Sequence, residues 1–469
     1  MKVLLISPNI ESIPDPVFPI GLAYICGALK QEGISNKVLD LCFTEDFEEA
    51  IKSSIESYQP DVIGMSLRNL DNVSLQDYTA YLPFYRRVVE TIRKYSNALI
   101  VLGGSGFSLH PQTVLEYLGC DYGIVGEGEK SFVKLINAID GNRAVSGRPP
   151  AGIFGEMTND TEELDELPDP DRSGFDNDAY LDLGGMGNIQ TKRGCPFRCI
   201  YCTYPLIEGR KVRMRSAERV CDEIEGLLEY GITNLFIVDN TFNYPVEHAE
   251  AVCREIIGRG LSAEWGCYVN PRFFPPGLAE LMVKAGCTGV EFGSDAAHDG
   301  MLENLCKDST VNELVTASNA CRDAGLSFCH SLLLGGPGET MESVKETLDN
   351  ILEISPTAVI CMTGIRVFPR TRLSHIAMEE GLIDGNEDFL DSVFYLSPSI
   401  EDKIHPYIKE FSEMNPTWLF PGFSSNVNPE YQRKLRRFGV KGPLWEYMDR
   451  SRRIRKRRRK KSRTTNTHE

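Results

Sequence analysis

Gly194-Cys195-Pro196-Phe197-Arg198-Cys199-Ile200-Tyr201-Cys202 places three cysteines within eight residues, with no histidine or fourth cysteine close enough in sequence to complete a tetrahedral shell. A structural zinc closes its coordination with four protein ligands, usually as two pairs, whereas a cluster held by three thiolates leaves one iron open to a reacting molecule. The competing reading is chance crowding in a chain of 14 cysteines. The others, such as Cys26, Cys120, Cys253, Cys287 and Cys361, stand singly, which suits buried thiols of a reducing compartment better than a disulfide framework.

The stretch follows a strand candidate at residues 188–191, the first of a series that continues at 235–238, 263–267, 289–292, 328–334 and 358–363. Helix-length patterns lie between them, among them 217–230, 249–259, 278–285 and 341–354. Six strand-helix repeats predict a partial barrel, residues 188–384, whose active site lies at the carboxyl ends of its strands. Upstream, residues 1–141 hold strand candidates at 3–6, 37–41, 62–66, 99–102 and 122–125 with helical patterns such as 21–31 and 85–94, a five-stranded doubly wound α/β sheet. Ligands of such sheets bind beyond the strand carboxyl ends, where the loops read Ser66-Leu67-Arg68, Gly103-Gly104-Ser105-Gly106 and Gly126-Glu127-Gly128-Glu129. Residues 142–187 are acidic and rich in turn formers and read as a linker. A small C-terminal extension, 385–449, carries Trp418-Leu419-Phe420-Pro421 and Gly442-Pro443-Leu444-Trp445, apolar enough to cap the barrel.

The spacing C-x3-C-x2-C resembles that of the radical S-adenosylmethionine enzymes, in which the open iron of a 4Fe-4S cluster is chelated by the amino and carboxylate groups of S-adenosylmethionine. Pro19-Ile20-Gly21-Leu22-Ala23-Tyr24-Ile25, the Val101-Leu102-Gly103-Gly104 turn with Ser108 and Pro111, and Asp121-Tyr122-Gly123-Ile124-Val125-Gly126-Glu127-Gly128-Glu129 resemble the Rossmann-like cobalamin-binding domain of one large subfamily. That likeness covers nearly all of the first 140 residues. One departure is plain: there is no D-x-H-x-x-G loop and no histidine before His110 to ligate cobalt. The resemblance implies that Cys195, Cys199 and Cys202 bind the cluster and that Tyr201 lies by the adenine. It further implies that Asp239, Glu291, Ser294, Gly335 and Gly336, at later strand ends, meet S-adenosylmethionine. Ser66, Gly103, Gly104, Gly126 and Glu127 are the corresponding cobalamin candidates. Glu339 reads either as a ligand contact or as a first-turn carboxylate, Arg366 as a carboxylate partner, and His330 as a satisfied core histidine.

What the resemblance implies chemically is reductive cleavage of S-adenosylmethionine to a 5'-deoxyadenosyl radical and cobalamin-dependent methylation of an unactivated carbon in a lipid or other small molecule. Glu291 to Ala297 and Gly442 to Trp445 also resemble cobalamin radical proteins linked to lipid biosynthesis. The alternatives are a non-methylating radical reaction (cyclisation, rearrangement or oxidation), a cobalamin and cluster sensing protein, and RNA methylthiolation, which lacks the matching cysteine context here. The cluster needs a reducing partner such as a flavodoxin or ferredoxin. With 42% apolar and 25% charged residues the chain is an ordinary globular sequence, without a signal-peptide pattern or membrane span, and cytoplasm is the expected compartment. The net charge of −17 conceals a basic tail, 450–469: eleven of the fourteen residues at 450–463 are Lys or Arg, leaving 39 basic against 67 acidic residues elsewhere, a balance of −28. Such a tail contacts an anionic membrane face or nucleic acid, or folds back on the acidic body.

Overall fold

In the computed structural model, the residues described are 1–143, 152–155, 163–384, 390–423 and 429–447. The basic tail at 450–469 lies outside them.

Residues Val3 to Ile6 form a run with no polar interruption, and the structure shows why. Leu4 and Ile6 enter the core on one face of a sheet while Val3 and Leu5 enter that on the other, as a strand covered by helices on both faces requires. This strand, β1 (Lys2–Ser7), lies in an all-parallel sheet with β2 (Ser35–Asp40), β3 (Val62–Ser66), β4 (Leu99–Gly103), β5 (Tyr122–Ile124) and β6 (Gly152–Phe154), in the order β2-β1-β3-β4-β5-β6. The direction of strand addition reverses between β1 and β3, so the loops that follow these two strands part and open a crevice at the carboxyl edge. The expected five strands become six because Gly152–Phe154 pairs in parallel with β5. Three residues among turn formers carry no periodicity that would mark a strand.

The second sheet is also all-parallel. It runs in sequence order through β7 (Gly187–Ile189), β8 (Asn234–Ile237), β9 (Glu264–Val269), β10 (Cys287–Asp295), β11 (Ser327–Leu334) and β12 (Ala358–Thr363), the six expected strands, and adds β13 (Trp418–Leu419) beside β12. The extension therefore contributes a seventh strand. It also supplies helix Glu401–Met414, whose Ile404, Ile408 and Phe411 enter the barrel core. Among the described residues no pairing joins β7 to β13, so the barrel is open.

Much of the stretch read as a linker is packed. Phe175 and Tyr180 set their rings edge-on to Phe18 at 4.9 and 5.4 Å. Asp171 pairs with Lys30 at 2.9 Å, Asp169 with Arg219 at 3.0 Å, and Arg172 with Glu223 at 2.9 Å. Its acidity is neutralised by basic residues from both sheets' layers, an arrangement local composition does not reveal.

Candidate active site between the two sheets

The cysteine loop leaves the barrel just after β7 and is closed by a short antiparallel ribbon, Lys192–Arg193 against Arg213–Met214. Gly194 enters it at φ +92°, and a Cβ there would sit 2.1 Å from the Lys211 carbonyl oxygen, so a side chain is excluded. The Gly194 amide donates to Glu208 at 3.0 Å, Asn240 donates to the Gly194 carbonyl at 3.2 Å, and the Cys195 amide donates to the Gly209 carbonyl at 3.0 Å. Farther along, the Ile200 amide donates to Leu305 and the Leu373 amide to Ile200, while Phe197 stacks on Phe273 at 5.5 Å. The loop is thus held along its length with three thiols and, among the described residues, no fourth donor beside them. Among the described residues no three or more His, Cys, Asp or Glu side chains form a shell for a single metal ion. Three soft donors spread along an apolar loop suit the corners of an iron-sulfur cluster better than one tetrahedral ion.

The other expected contacts divide. The Tyr201 hydroxyl donates to Asp295, which also pairs with Lys307 at 2.8 Å, so the ring stands beside the cysteines with its polar end engaged. Asp239 is engaged by the cysteine loop itself. It is buried, accepting from the Thr191 amide at 2.7 Å, the Lys192 amide at 3.2 Å and the Thr191 hydroxyl, and so fixes the start of the cysteine loop. Ser294 lies on the helix-facing side of β10, bonded to His330 Nδ1 at 2.7 Å. The Ser318 hydroxyl already donates to the Leu314 carbonyl, so His330 Nε2 donates to Ser318 at 3.0 Å and Nδ1 accepts from Ser294. Burial lowers His330 to about 3, which fits a neutral core histidine. The amides of Gly335 and Gly336 are occupied too, both donating to Glu339, whose burial pushes its carboxyl up to about 7.

The N-terminal loops meet this loop directly. Glu127 binds Arg213 through both carboxylate oxygens and approaches Arg193 to 3.4 Å, and Glu129 pairs with Arg193 at 2.6 Å. Glu127 is thus engaged as a docking group between the sheets, with both carboxylate oxygens taken by Arg213. Asp71, in the loop after β3, forms a buried pair with Arg366 at 3.0 Å and accepts from Ser392 at 2.6 Å. Arg370 donates to the carbonyls of Ser108 and Leu109. Ser66 and Gly103 end adjacent strands in register, and Gly104 turns the chain at φ +95°, where a Cβ would meet the Leu67 carbonyl oxygen at 2.6 Å. The Gly126 amide donates to Ser108 at 3.0 Å.

Both sheets leave space at these ends. A Cβ on Gly103 would meet nothing nearer than an oxygen at 3.8 Å, and one on Gly293 nothing within 4 Å. Alternate residues of the barrel strands (Tyr268, Glu291, Gly293, Ser331, Leu333, Met362) face away from the helix-side core, and Tyr268 keeps 40% of its surface accessible in mid-strand. The interior is an open chamber, not the filled core of a complete barrel. The electrostatic neighbourhood of Tyr268 includes Glu291, Tyr204, Arg68 and Asp15. Arg68 and Asp15 come from the loops after β3 and β1, so this set spans both domains. Of these and the docking residues the sequence pointed to Glu291, to Arg68 through its loop and to Arg366 as a carboxylate partner, the pairing it makes with Asp71; Asp15, Tyr204, Tyr268, Lys307, Arg213 and Arg370 carried no motif that would have found them. The basic pair Lys192-Arg193 before the first cysteine was the one local signal.

Comparison with known proteins agrees with this geometry. Residues 6–136 match the B12 binding domain family and residues 189–351 the Radical SAM superfamily. The chain is 27% identical over 448 residues to a tryptophan 2-C-methyltransferase of Streptomyces laurentii, covering 81% of this chain and 74% of that protein. It is 29% identical over 409 residues to an uncharacterised methyltransferase of Pyrococcus horikoshii, covering 82% and 84%. Among solved structures, the radical S-adenosylmethionine methyltransferase TsrM from Kitasatospora setae, with tryptophan substrate and a S-adenosylmethionine analogue bound, superposes with a TM-score of 0.83 at 26% identity, over 97% of this chain and 99% of that one.

Proposed function

Because the chain belongs to the cobalamin-dependent radical S-adenosylmethionine methyltransferases, we propose that it methylates a carbon of a small organic molecule bound in the chamber between its two sheets. The observation that carries this is the pinning of the two carboxyl edges face to face by Arg193 with Glu129, Arg213 with Glu127 and Arg366 with Asp71. Buried pairs of this kind fix register, since neither partner can leave without stranding a charge. When bound, the 4Fe-4S cluster supplies electrons to S-adenosylmethionine and cobalamin supplies methyl transfer.

Cys195, Cys199 and Cys202 hold the cluster. Asp239, Glu208 and Asn240 set the path of their loop, and Lys307 places a positive charge beside the thiolates. Tyr201 and the open face at Gly293 receive S-adenosylmethionine, while Ser66, Gly103, Gly104 and Gly126 bring backbone close to cobalamin. A flavodoxin- or ferredoxin-type protein delivers the electron, and the many singly buried thiols suit a reducing compartment such as the cytoplasm. No described helix is long and apolar enough to cross a membrane.

The test is anaerobic reconstitution with iron, sulfide and cobalamin, followed by incubation with cell extract and methyl-labelled S-adenosylmethionine. Label entering a small molecule supports the reading. A protein that binds both cofactors yet neither consumes S-adenosylmethionine nor transfers label overturns it.

A further inference from the structure

At the end of the barrel away from the cysteine loop, the C-terminal segment closes the floor. Trp445 packs with Cys329 and Ala358, near the starts of β11 and β12, and a Cβ on Gly289 would lie 2.9 Å from its ring and 2.7 Å from Glu446. Arg436 anchors this segment, donating to the carbonyls of Val440 and Gly442 and pairing with Asp15 at 3.0 Å. Just above the floor stands Glu291, on the inward side of β10 and directly opposite Tyr268. The Trp445 indole donates to Glu291 Oε1 at 2.9 Å.

Glu291 differs from most carboxylates around the chamber, and unlike Glu208 and Glu339, which take amides of their own loops, it takes no described backbone amide. Asp15, Asp71, Glu127, Glu129 and Asp295 each have an arginine or lysine partner. No described cation pairs with Glu291, and its second oxygen takes no hydrogen bond from a described residue. Burial and the nearby Asp15 raise its carboxyl to about 7 despite the indole donor. A half-buried carboxylate, oriented on one oxygen and bare on the other beside accessible aromatic surface, is a receptor for a cation.

We propose that the free oxygen of Glu291 recognises a protonated amine on the substrate, with Trp445 as the positioning residue that aims the carboxylate. This rests on the methyltransferase reading above and narrows its substrate class. The amine sits at the chamber floor and the carbon to be methylated projects toward the cysteine loop. Tyr268 flanks the bound nitrogen.

The test is equilibrium dialysis of the reconstituted holoenzyme against matched pairs of probes: phenethylamine and 3-phenylpropionate, tryptamine and indole-3-propionate, agmatine and glutarate. At least one amine binds in preference to its matched acid, and Glu291→Gln, whose amide oxygen still accepts from Trp445, weakens that amine by about tenfold or more. Trp445→Phe weakens it less and leaves the order of the probes unchanged. Equal binding of amines and acids, an amine affinity unmoved by Glu291→Gln, or no binding by any amine overturns the inference. Cobalamin absorbance and S-adenosylmethionine consumption, followed in the same samples, report on the underlying reading separately.

Discussion

The two sheets present acidic residues at facing edges, and they use them differently. On the N-terminal sheet, Asp71, Glu127 and Glu129 all reach across to barrel arginines, so its side chains dock the domains while Gly103 leaves open space at the strand end. On the barrel side, Asp239 and Asp295 turn back on their own domain, to the 191–192 backbone and to Lys307, Glu208 and Glu339 take amides of their own loops, and Glu291 faces the chamber with no described cation beside it. A carboxylate near a strand end is a ligand contact only if no cation or amide of the fold reaches it first, because an unpaired buried charge is costly.

The largest effect that would test this division is at the cluster. Cys195→Ala, Cys199→Ala or Cys202→Ala abolishes S-adenosylmethionine turnover and cluster iron while cobalamin absorbance persists, since the thiols sit on the barrel and the glycine turns on the other sheet. Iron analysis beside the visible spectrum checks this, and joint loss of both cofactors would mean the sites are not separable. Next, Arg366→Ala leaves Asp71 buried without its cation and costs about 3–5 kcal/mol in denaturant unfolding. The double variant with Asp71→Ala costs less than the two single changes added together. If the effects simply add, this pair does not lock the domains.

A smaller effect separates docking from cofactor contact. Glu127→Gln lowers the melting temperature but leaves cobalamin affinity within about twofold, because its carboxylate serves arginines. A large loss of cobalamin with unchanged melting would assign it the cofactor role. His330 probes the helix-facing side of the barrel. Its folded pKa of about 3 lies below the unfolded 6.5, so its contribution is present above about pH 6.5 and is lost as pH falls through that value toward 3. At pH 5 this amounts to roughly 2 kcal/mol, and His330→Gln flattens the acid limb of the stability curve. Glu339 titrates in the opposite sense, raised from 4.5 to about 7. Its neutral form is favoured in the fold, so stability falls as pH rises from 4.5 through about 7. Glu339→Gln, which keeps an acceptor for the Gly335 and Gly336 amides, removes this loss, an expected gain of about 3 kcal/mol at pH 8 relative to pH 4.

What the sequence determined by itself is local. The C-x3-C-x2-C spacing, the glycine that must precede it and the alternation of strands and helices are all set by interactions over a few residues, so spacing and periodicity revealed them. Where each polar side chain points was decided only by the tertiary structure. Asp239 finds its partners 47 and 48 residues away, Glu127 its arginine 86 away, and Glu291 its tryptophan 154 away. Adjacent strand positions such as Phe292 and Glu291 differ only in which face of β10 they occupy, and the core or chamber on that face exists only once the other strands have assembled. The three cysteines could therefore be found from the chain alone, whereas the floor of the chamber required the strands and the C-terminal segment to assemble around it.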